Sequence, residues 1–495
     1  MSKENWWCIL PKISVYNINK AIGSASSGVE YAQYYRHKVF QTIEEVEDYY
    51  IFLDYISTNL CTYTDQMGYP RERIIGIYQT LSHRLITPCS YPVEDYLHSI
   101  AQPYCIHERT TQYLDVILTH QPIRYRIWLS HIDYVDHVDL FVANVLERVE
   151  HYDCSISNIE YYQQNKLIRR VFYRNSGDVA FMQLYQDNQI SQTLIDGMIL
   201  EGRVSYYSYF FQQYLGDADT VVIVDRALDV VDAIYPVLGQ SRLFCVIHAE
   251  HYDQKYSDQD VILWNNHYEH VLTLAHRYEA LITSTPKQCN LLTNQLKHAT
   301  KVACIPVGII TSIQECLKYD RYRLITASRL ASEKHIDLLI RAVSIAQKRN
   351  PKISLDIYGE GNRSSIEEVI QEINSSDYIH IMGHHSLDGV YQSYGLYVSA
   401  STSEGFGLSI MEAISEGLPV VGFEVDYGNT AMIESGVNGL LLPYGNSDQD
   451  IINLADAIIQ ILECEHYDMY RRASLQKAQT YEESVVRELW RELLC

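Results

Sequence analysis

The sequence predicts an α/β protein of two doubly wound, Rossmann-like domains facing a cleft, with an antiparallel β-meander domain inserted into the first. Three observations carry this. A strand, a run of small residues and a helix open the chain. The stretch from roughly 43 to 205 then loses any βαβ rhythm, and its later part reads as consecutive strands. From Asp219 onward, short apolar runs alternate with helical segments.

The first strand is Ile13–Asn19, alternating in character. It runs into Gly23-Ser-Ala-Ser-Ser-Gly28, and a helical stretch follows from Val29 to about Phe40, with Tyr31, Tyr34, Tyr35 and Val39 at helical spacing. Strand, small-residue loop and helix form the opening unit of a doubly wound domain. Within the insertion, strands are expected at Asn158–Tyr162, Leu167–Tyr173, Val179–Tyr185 and Val204–Phe211. Turn signals at 175–178 (Asn-Ser-Gly-Asp) and Asp187-Asn188 separate several of them. Asp219–Val224 is a near-continuous apolar run of the kind a buried parallel strand needs. Leu243–His248, Ala280–Thr283 and Val302–Ile305 continue that domain. A second α/β domain follows, with strands at Arg323–Ala327, Ile353–Tyr358, Ile379–Met382, Gly395–Ser399 and Pro419–Phe423, and an amphipathic helix at Ile336–Arg349. The expected boundaries are 13–42 plus 206–318 for the first domain, 43–205 for the insertion and 319–470 for the second domain. A C-terminal helix within 471–495 is expected to cross back to the first domain.

Composition narrows the function. The chain has 495 residues, 47% apolar and 20% charged, which is globular. Its 42 tyrosines suit sheet faces and grooves, and an AT-rich genome would enrich them equally. The formal net charge of −23 repels nucleic acid and other polyanions at long range. No 18-residue apolar run occurs, and the N-terminus lacks the layout of a signal peptide, so a cytoplasmic protein is expected, with room for peripheral attachment to the inner face of the membrane. The eleven cysteines are scattered without a C-x-x-C pair, which fits free thiols. His248 and His251 stand three apart but do not form H-E-x-x-H, and no metal site is expected.

Two segments carry chemistry. The first runs from Ser401 to Pro419. A strand ends near Ala400, a loop holds Glu404, Gly405, Phe406 and Gly407, and a short helix from Leu408 carries Glu412 and stops at Gly417. Such a loop lets backbone N–H groups approach a ligand, and the helix N-terminus favours phosphate. One carboxylate can meet a sugar and the other a ribose; alternatively, Glu404 caps the helix. The second segment, Ala327–His335, follows a strand and opens a helix, with Ser332 as its N-cap. Arg329 and Lys334 can reach an anion at the strand end, or be solvated surface cations. A diphosphate leaving group gains charge as its bond breaks, and fixed cations stabilise that state.

Together, Arg329…Lys334, Glu404-x7-Glu412 and the segment from Gly428 to Glu434-Ser-Gly-Val-Asn-Gly439 resemble the retaining GT-B glycosyltransferases, the family of glycogen and sucrose-phosphate synthases. That resemblance implies that Arg329 and Lys334 bind the diphosphate, that Glu412 binds the ribose, and that Glu404 with Gly405, Phe406, Gly407 and Leu408 holds sugar and phosphate without a metal or other cofactor. The segment from Asn17 to Gln33 is similar to the opening of the GtfA family, the catalytic glycosyltransferase subunits of Gram-positive accessory secretion systems. This second resemblance implies nucleotide contacts from Gly28, Val29, Glu30 and Tyr31, and a catalytic and sugar contact from His248, whose other reading is a core histidine. It places His384 and His385 near the uracil. It also implies transfer of N-acetylglucosamine, with glucose as the alternative, from the UDP-sugar to Ser or Thr of a serine-rich repeat adhesin, with a GtfB-like second subunit as partner. Two other readings stand beside it. A similar fold glycosylates wall polymers such as teichoic acid, which the charge of −23 opposes. A non-catalytic acceptor-binding subunit would have lost the donor-site residues that are present here.

Overall fold

The structure, a computed structural model, describes residues 12–22, 28–56, 60–131, 133–228, 230–258, 261–313 and 318–495. The small-residue loop at 23–27 and the first eleven residues lie outside the described residues. The chain forms two compact units, one of residues 1–26 and 46–243, the other of 27–45 and 244–495.

In the first unit, strands Thr220–Val224, Ile13–Asn19, Val46–Phe52 and Ile74–Gly76 lie side by side and run parallel. Every residue of Thr220–Val224 is buried, as its unbroken apolar sequence requires. Strands Val46–Phe52 and Ile74–Gly76 fall inside 43–205, yet they pair with the parallel strands. The antiparallel sheet itself starts at Tyr104. It has ten strands, from Tyr104–Arg109 to Met198–Glu201, each beside its neighbour in sequence. Four of its hairpins turn at Ala143-Asn144, Gln164-Asn165, Asp187-Asn188 and Asp196-Gly197, all with positive φ at both residues. That mirror-image turn matches the right-handed twist of the strands.

One expected strand is a helix. Val204–Phe211 lies within helix Gly202–Phe211. Its aromatic content favours a strand, but Tyr206, Tyr207, Phe210 and Phe211 bury one helical face, and that packing overrides the local preference.

The second unit contains a six-stranded parallel sheet ordered Ile379–Gly383, Ser354–Tyr358, Asp320–Ala327, Tyr394–Val398, Val420–Phe423 and Gly439–Leu442. Counted along the chain, this is order 3-2-1-4-5-6, the doubly wound arrangement. Helix Ile336–Arg349 buries Leu339, Ile340, Ala342, Val343 and Ala346, which join the sheet's apolar core. Strands Arg242–Ile247, Ala280–Thr283 and Lys301–Cys304 also run parallel. The C-terminal helix Glu483–Leu494 packs on helix Gly28–Phe40, with Trp490 edge-on to Phe40 at 5.1 Å and the Arg36 guanidinium over the Trp490 ring. Among the described residues, no helix is long and apolar enough to cross a membrane.

Candidate active site

Strands Asp320–Ala327 and Tyr394–Val398 are the first and fourth of the six-stranded sheet and lie next to each other. Loops leaving their carboxyl ends diverge to opposite sides, which opens a crevice at that point. The first strand leads into Ser328–His335 and the fourth into Ser399–Gly407, so both chemistry-bearing segments start there.

Two backbone devices join these loops. A single 3-10 turn, Ser332–Lys334, precedes helix Ile336–Arg349, and His335 adopts φ 44° between them. His335 therefore occupies the N-cap position, and Ser332 does not cap the helix as its sequence suggests. The 3-10 turn consumes the residues that a direct helix start would use. The Thr402 N–H donates to the Glu333 carbonyl at 3.0 Å, and His335 Nε2 lies 3.2 Å from Thr402 Oγ1.

This junction aims Lys334 across the crevice. Its ammonium donates to Glu404 Oε2 at 2.6 Å and to Ser401 Oγ at 3.1 Å. Of the two readings of Glu404, the carboxylate meets a cation rather than a helix end. The N-cap position of helix Leu408–Ser415 belongs to Gly407, at φ 88°, and no side chain caps it. The first N–H groups of that helix thus have no side-chain partner at the N-cap, an arrangement that suits an anion.

Arg329 stands apart from this pair. Its guanidinium bonds Glu333 at 3.0 Å and its side chain is 66% exposed. A cation held this loosely can swing to an incoming anion at little cost.

Glu412 lies one turn into the same helix and accepts two tyrosine hydroxyls, Tyr35 at 2.9 Å and Tyr391 at 3.1 Å. Burial raises its pKa, against the opposing effect of those two donors. Tyr35 belongs to helix Gly28–Phe40, so this bond brings the helix to Glu412. Tyr31, one turn earlier, has its own pKa raised by burial and by the charge of Glu412. Of the predicted nucleotide contacts at 28–31, Tyr31 is therefore the one placed beside the ribose-binding candidate, and a Cβ on Gly28 would meet no atom within 4 Å.

His248 follows strand Arg242–Ile247, and its N–H donates to the Tyr268 hydroxyl at 3.0 Å. Its carbonyl lies so close to Gly405 that a Cβ there would come within 1.9 Å of it, so only glycine fits. His251 is fully buried and bonded to Gln295 at 2.7 Å, which makes it a core residue. Among the described residues, no group of three or more His, Cys, Asp or Glu is arranged to hold a metal ion.

Comparison with known proteins identifies the family. The family model of group 1 glycosyl transferases matches residues 312–479. The GtfA subunit of the UDP-N-acetylglucosamine–peptide N-acetylglucosaminyltransferase of Streptococcus gordonii is 34% identical over 97% of this chain and 98% of its own. A crystal structure of the pneumococcal O-GlcNAc transferase GtfA with UDP and GlcNAc is similar with TM-score 0.93 and 33% identity, covering 98% of each chain. A crystal structure of a GtfA/B complex is similar with TM-score 0.88 and 34% identity, covering 97% of this chain and 99% of that one.

The chain belongs to the GtfA family.

Within this GtfA chain the predicted site residues are distributed as follows. Lys334, Glu404, Gly405, Phe406, Gly407, Leu408 and His248 converge on one region, and Tyr31, on the helix that starts with Gly28, Val29 and Glu30, lies near Glu412. Arg329 borders the first group through Glu333. His384 and His385 are exposed after strand Ile379–Gly383. Their loop leads to Asp388, whose charge acts on both Glu412 and Tyr35. Sequence reasoning missed Ser401, Tyr391 and the role of Tyr35. Tyr35 reads as an apolar helix position, and its hydroxyl was the available signal. Tyr391 and Ser401 carry no pattern, because fold geometry alone brings them to the carboxylates.

Proposed function

We propose that this chain, as a GtfA-family enzyme, transfers N-acetylglucosamine from UDP-N-acetylglucosamine to Ser or Thr hydroxyls of a serine-rich polypeptide, with retention of configuration and in complex with a GtfB-like partner. The observation that carries the reading is the Lys334–Glu404 contact beside the Leu408 helix N-terminus, at the switch point of a doubly wound sheet. The relatives support it by what they are named to bind and assemble with.

In this reading, Lys334, the Leu408 N-terminus and Arg329, once drawn from Glu333, hold the diphosphate. Glu404 and the N–H groups of Gly405 to Gly407 hold the sugar, with His248 on its other side. Glu412 accepts the ribose hydroxyls, and His384 and His385 border the uracil. The bond between C1 of the sugar and the β-phosphate oxygen breaks, and its electron pair stays on that oxygen. The acceptor oxygen bonds C1 from the same face, and its proton passes to the departing phosphate. The cations and helix N–H groups stabilise the charge that develops, which is where such groups act most strongly. No carboxylate nucleophile is needed, in contrast to a retaining glycosidase.

The test incubates the purified chain, alone and with its partner subunit, with UDP-N-acetylglucosamine or UDP-glucose and a serine-rich peptide. Intact mass of the peptide identifies the sugar added. Transfer of N-acetylhexosamine that Glu404→Gln abolishes supports the reading. Transfer of hexose alone, or full activity in Glu404→Gln, overturns it.

A further inference from the structure

Tyr427 sits directly after Asp426, beyond strand Val420–Phe423, and opens the short helix Gly428–Met432. Its backbone lies at φ 72° and ψ −89°, close to the strained γ-turn region. A bulky side chain rarely adopts such a conformation, and the surroundings must enforce it. Strain of this kind tends to mark positions where the backbone has been set for a task.

The surroundings here are specific. The Tyr427 side chain is buried, at 1% exposure. Its ring lies 6.1 Å from that of His251, tilted by 34°. His251 is itself immobilised by Gln295 and approached by Gln288 Nε2 at 3.4 Å. Gln288 also donates to the Ala249 carbonyl at 2.8 Å, and Ala249 adjoins His248. The ring of Tyr427 is thus seated on the buried end of the segment that carries His248.

The strained backbone faces the other way. Residues Glu404 and Tyr427 form a parallel β-bridge, and the N–H of Gly428 does not close a turn on its own loop but donates to the Glu404 carbonyl at 2.9 Å. A Cβ on Gly428 would stand 2.7 Å from the Phe406 carbonyl oxygen and 2.8 Å from Glu404 Cγ, so this strand of backbone lies against the Glu404 side chain itself.

We propose that Tyr427 is a positioning residue for donor-sugar binding: its anchored ring and strained backbone hold the Glu404 loop in register with the His248 segment. The inference rests on the reading of Glu404 as a sugar ligand. It assigns no chemistry to the Tyr427 hydroxyl. Lys334 keeps its bond to Ser401, and the Leu408 helix keeps its buried face of Ile410, Met411, Ala413 and Ile414, so loosening Tyr427 leaves most of the nucleotide binding in place. It costs alignment of the sugar, where a displacement of about 1 Å can lower a rate by about 10²-fold.

The experiment compares Tyr427→Phe, Tyr427→Gly and Gly428→Ala with the wild-type enzyme in complex with its partner. Glycine accepts the positive φ and removes only the ring. Alanine at 428 keeps the ring and displaces the Glu404 side. Calorimetry measures affinity for UDP and for UDP-N-acetylglucosamine, and peptide glycosylation gives kcat. We expect Tyr427→Phe within about twofold of wild type. Tyr427→Gly and Gly428→Ala should lose about 10²-fold in kcat and lose the affinity increment that the sugar adds, with UDP affinity held within about threefold. Full kcat in both of the latter variants overturns the proposal. So does a parallel fall in UDP affinity, which would mean a general loss of structure. If Tyr427→Gly does not fold, Gly428→Ala decides alone. Full transfer by Glu404→Gln, run alongside, would instead overturn the underlying reading of the site.

Discussion

Replacing Lys334 by alanine tests the centre of the site. Its ammonium lies 2.6 Å from the Glu404 carboxylate, with side-chain exposures of 12% and 22%. At an effective dielectric constant near 20, the gross attraction at that separation is about 6 kcal/mol. Desolvation offsets much of it. Removing one partner of a fully buried pair costs about 3–5 kcal/mol, because the other charge is left uncompensated. Water still reaches this pair, so screening reduces the expected loss to about 2 kcal/mol. That corresponds to a fall of about 3–4 °C in the melting temperature of the unit that contains it. The kinetic effect is separate and larger. Loss of one group that stabilises developing charge costs about 10²–10³ in rate. Arg329→Ala should lose turnover with little change in melting, because its exposed bond to Glu333 contributes about 0–1 kcal/mol. The assay follows UDP release and peptide mass under saturating donor, with melting recorded by circular dichroism. If Lys334→Ala and Arg329→Ala both keep kcat within about twofold of wild type, the assignment of these cations to the leaving group fails; the threshold is far below the loss seen for comparable groups.

Burial holds the Glu412 carboxyl above its ordinary pKa of 4.5, and ribose hydroxyls need the ionised form as acceptor. UDP affinity should therefore decline on acidification from above pH 4.5, and Glu412→Gln should bind UDP weakly and without that pH dependence, as read by calorimetry. Transfer should survive excess EDTA, since fixed cations are proposed to neutralise the diphosphate; loss of activity restored by magnesium or manganese would contradict this. Burial also lowers the pKa of His251 below 6.5, so the unfolded chain binds its proton more readily. Its contribution to stability is full above pH 6.5 and lost as pH falls through that value, a slope that a melting series on His251→Gln should reduce. Finally, replacing residues 104–201 by a short Gly-Ser linker should keep UDP-sugar hydrolysis while peptide glycosylation and partner binding fall, if the ten-stranded sheet recruits the acceptor. Retention of both would make the sheet a brace.

Much of this was legible in the chain. Unbroken apolar runs such as Thr220–Val224 suit buried parallel strands, and the leucine–isoleucine face of Ile336–Arg349 suits a helix packed on a core. The Glu404–Glu412 and Arg329–Lys334 spacings placed four candidate side chains on two short segments, because their order along the backbone follows local geometry. Positions where local preference and packing compete were not legible. Val204–Phe211 looks like a strand and is a helix, because burial of four aromatic rings on one face outweighs their β preference. Ser332 looks like an N-cap, but the 3-10 turn moves that place to His335. Strands Val46–Phe52 and Ile74–Gly76 show no βαβ rhythm, and only the parallel pairing of the first with Ile13–Asn19, and of the second with the first, reveals their sheet.

The sequence by itself determined the fold class, the two motif loops and the residue types available for binding a sugar nucleotide. Tertiary structure decided which of those residues meet. The Tyr35 and Tyr391 hydroxyls on Glu412, the Lys334 ammonium on Glu404, the His248 carbonyl against Gly405 and the strained backbone at Tyr427 join positions from 21 to more than 370 residues apart. Contacts over such separations depend on how strands order themselves in a sheet. That order is set by burial summed over the whole core, which no local window of sequence contains.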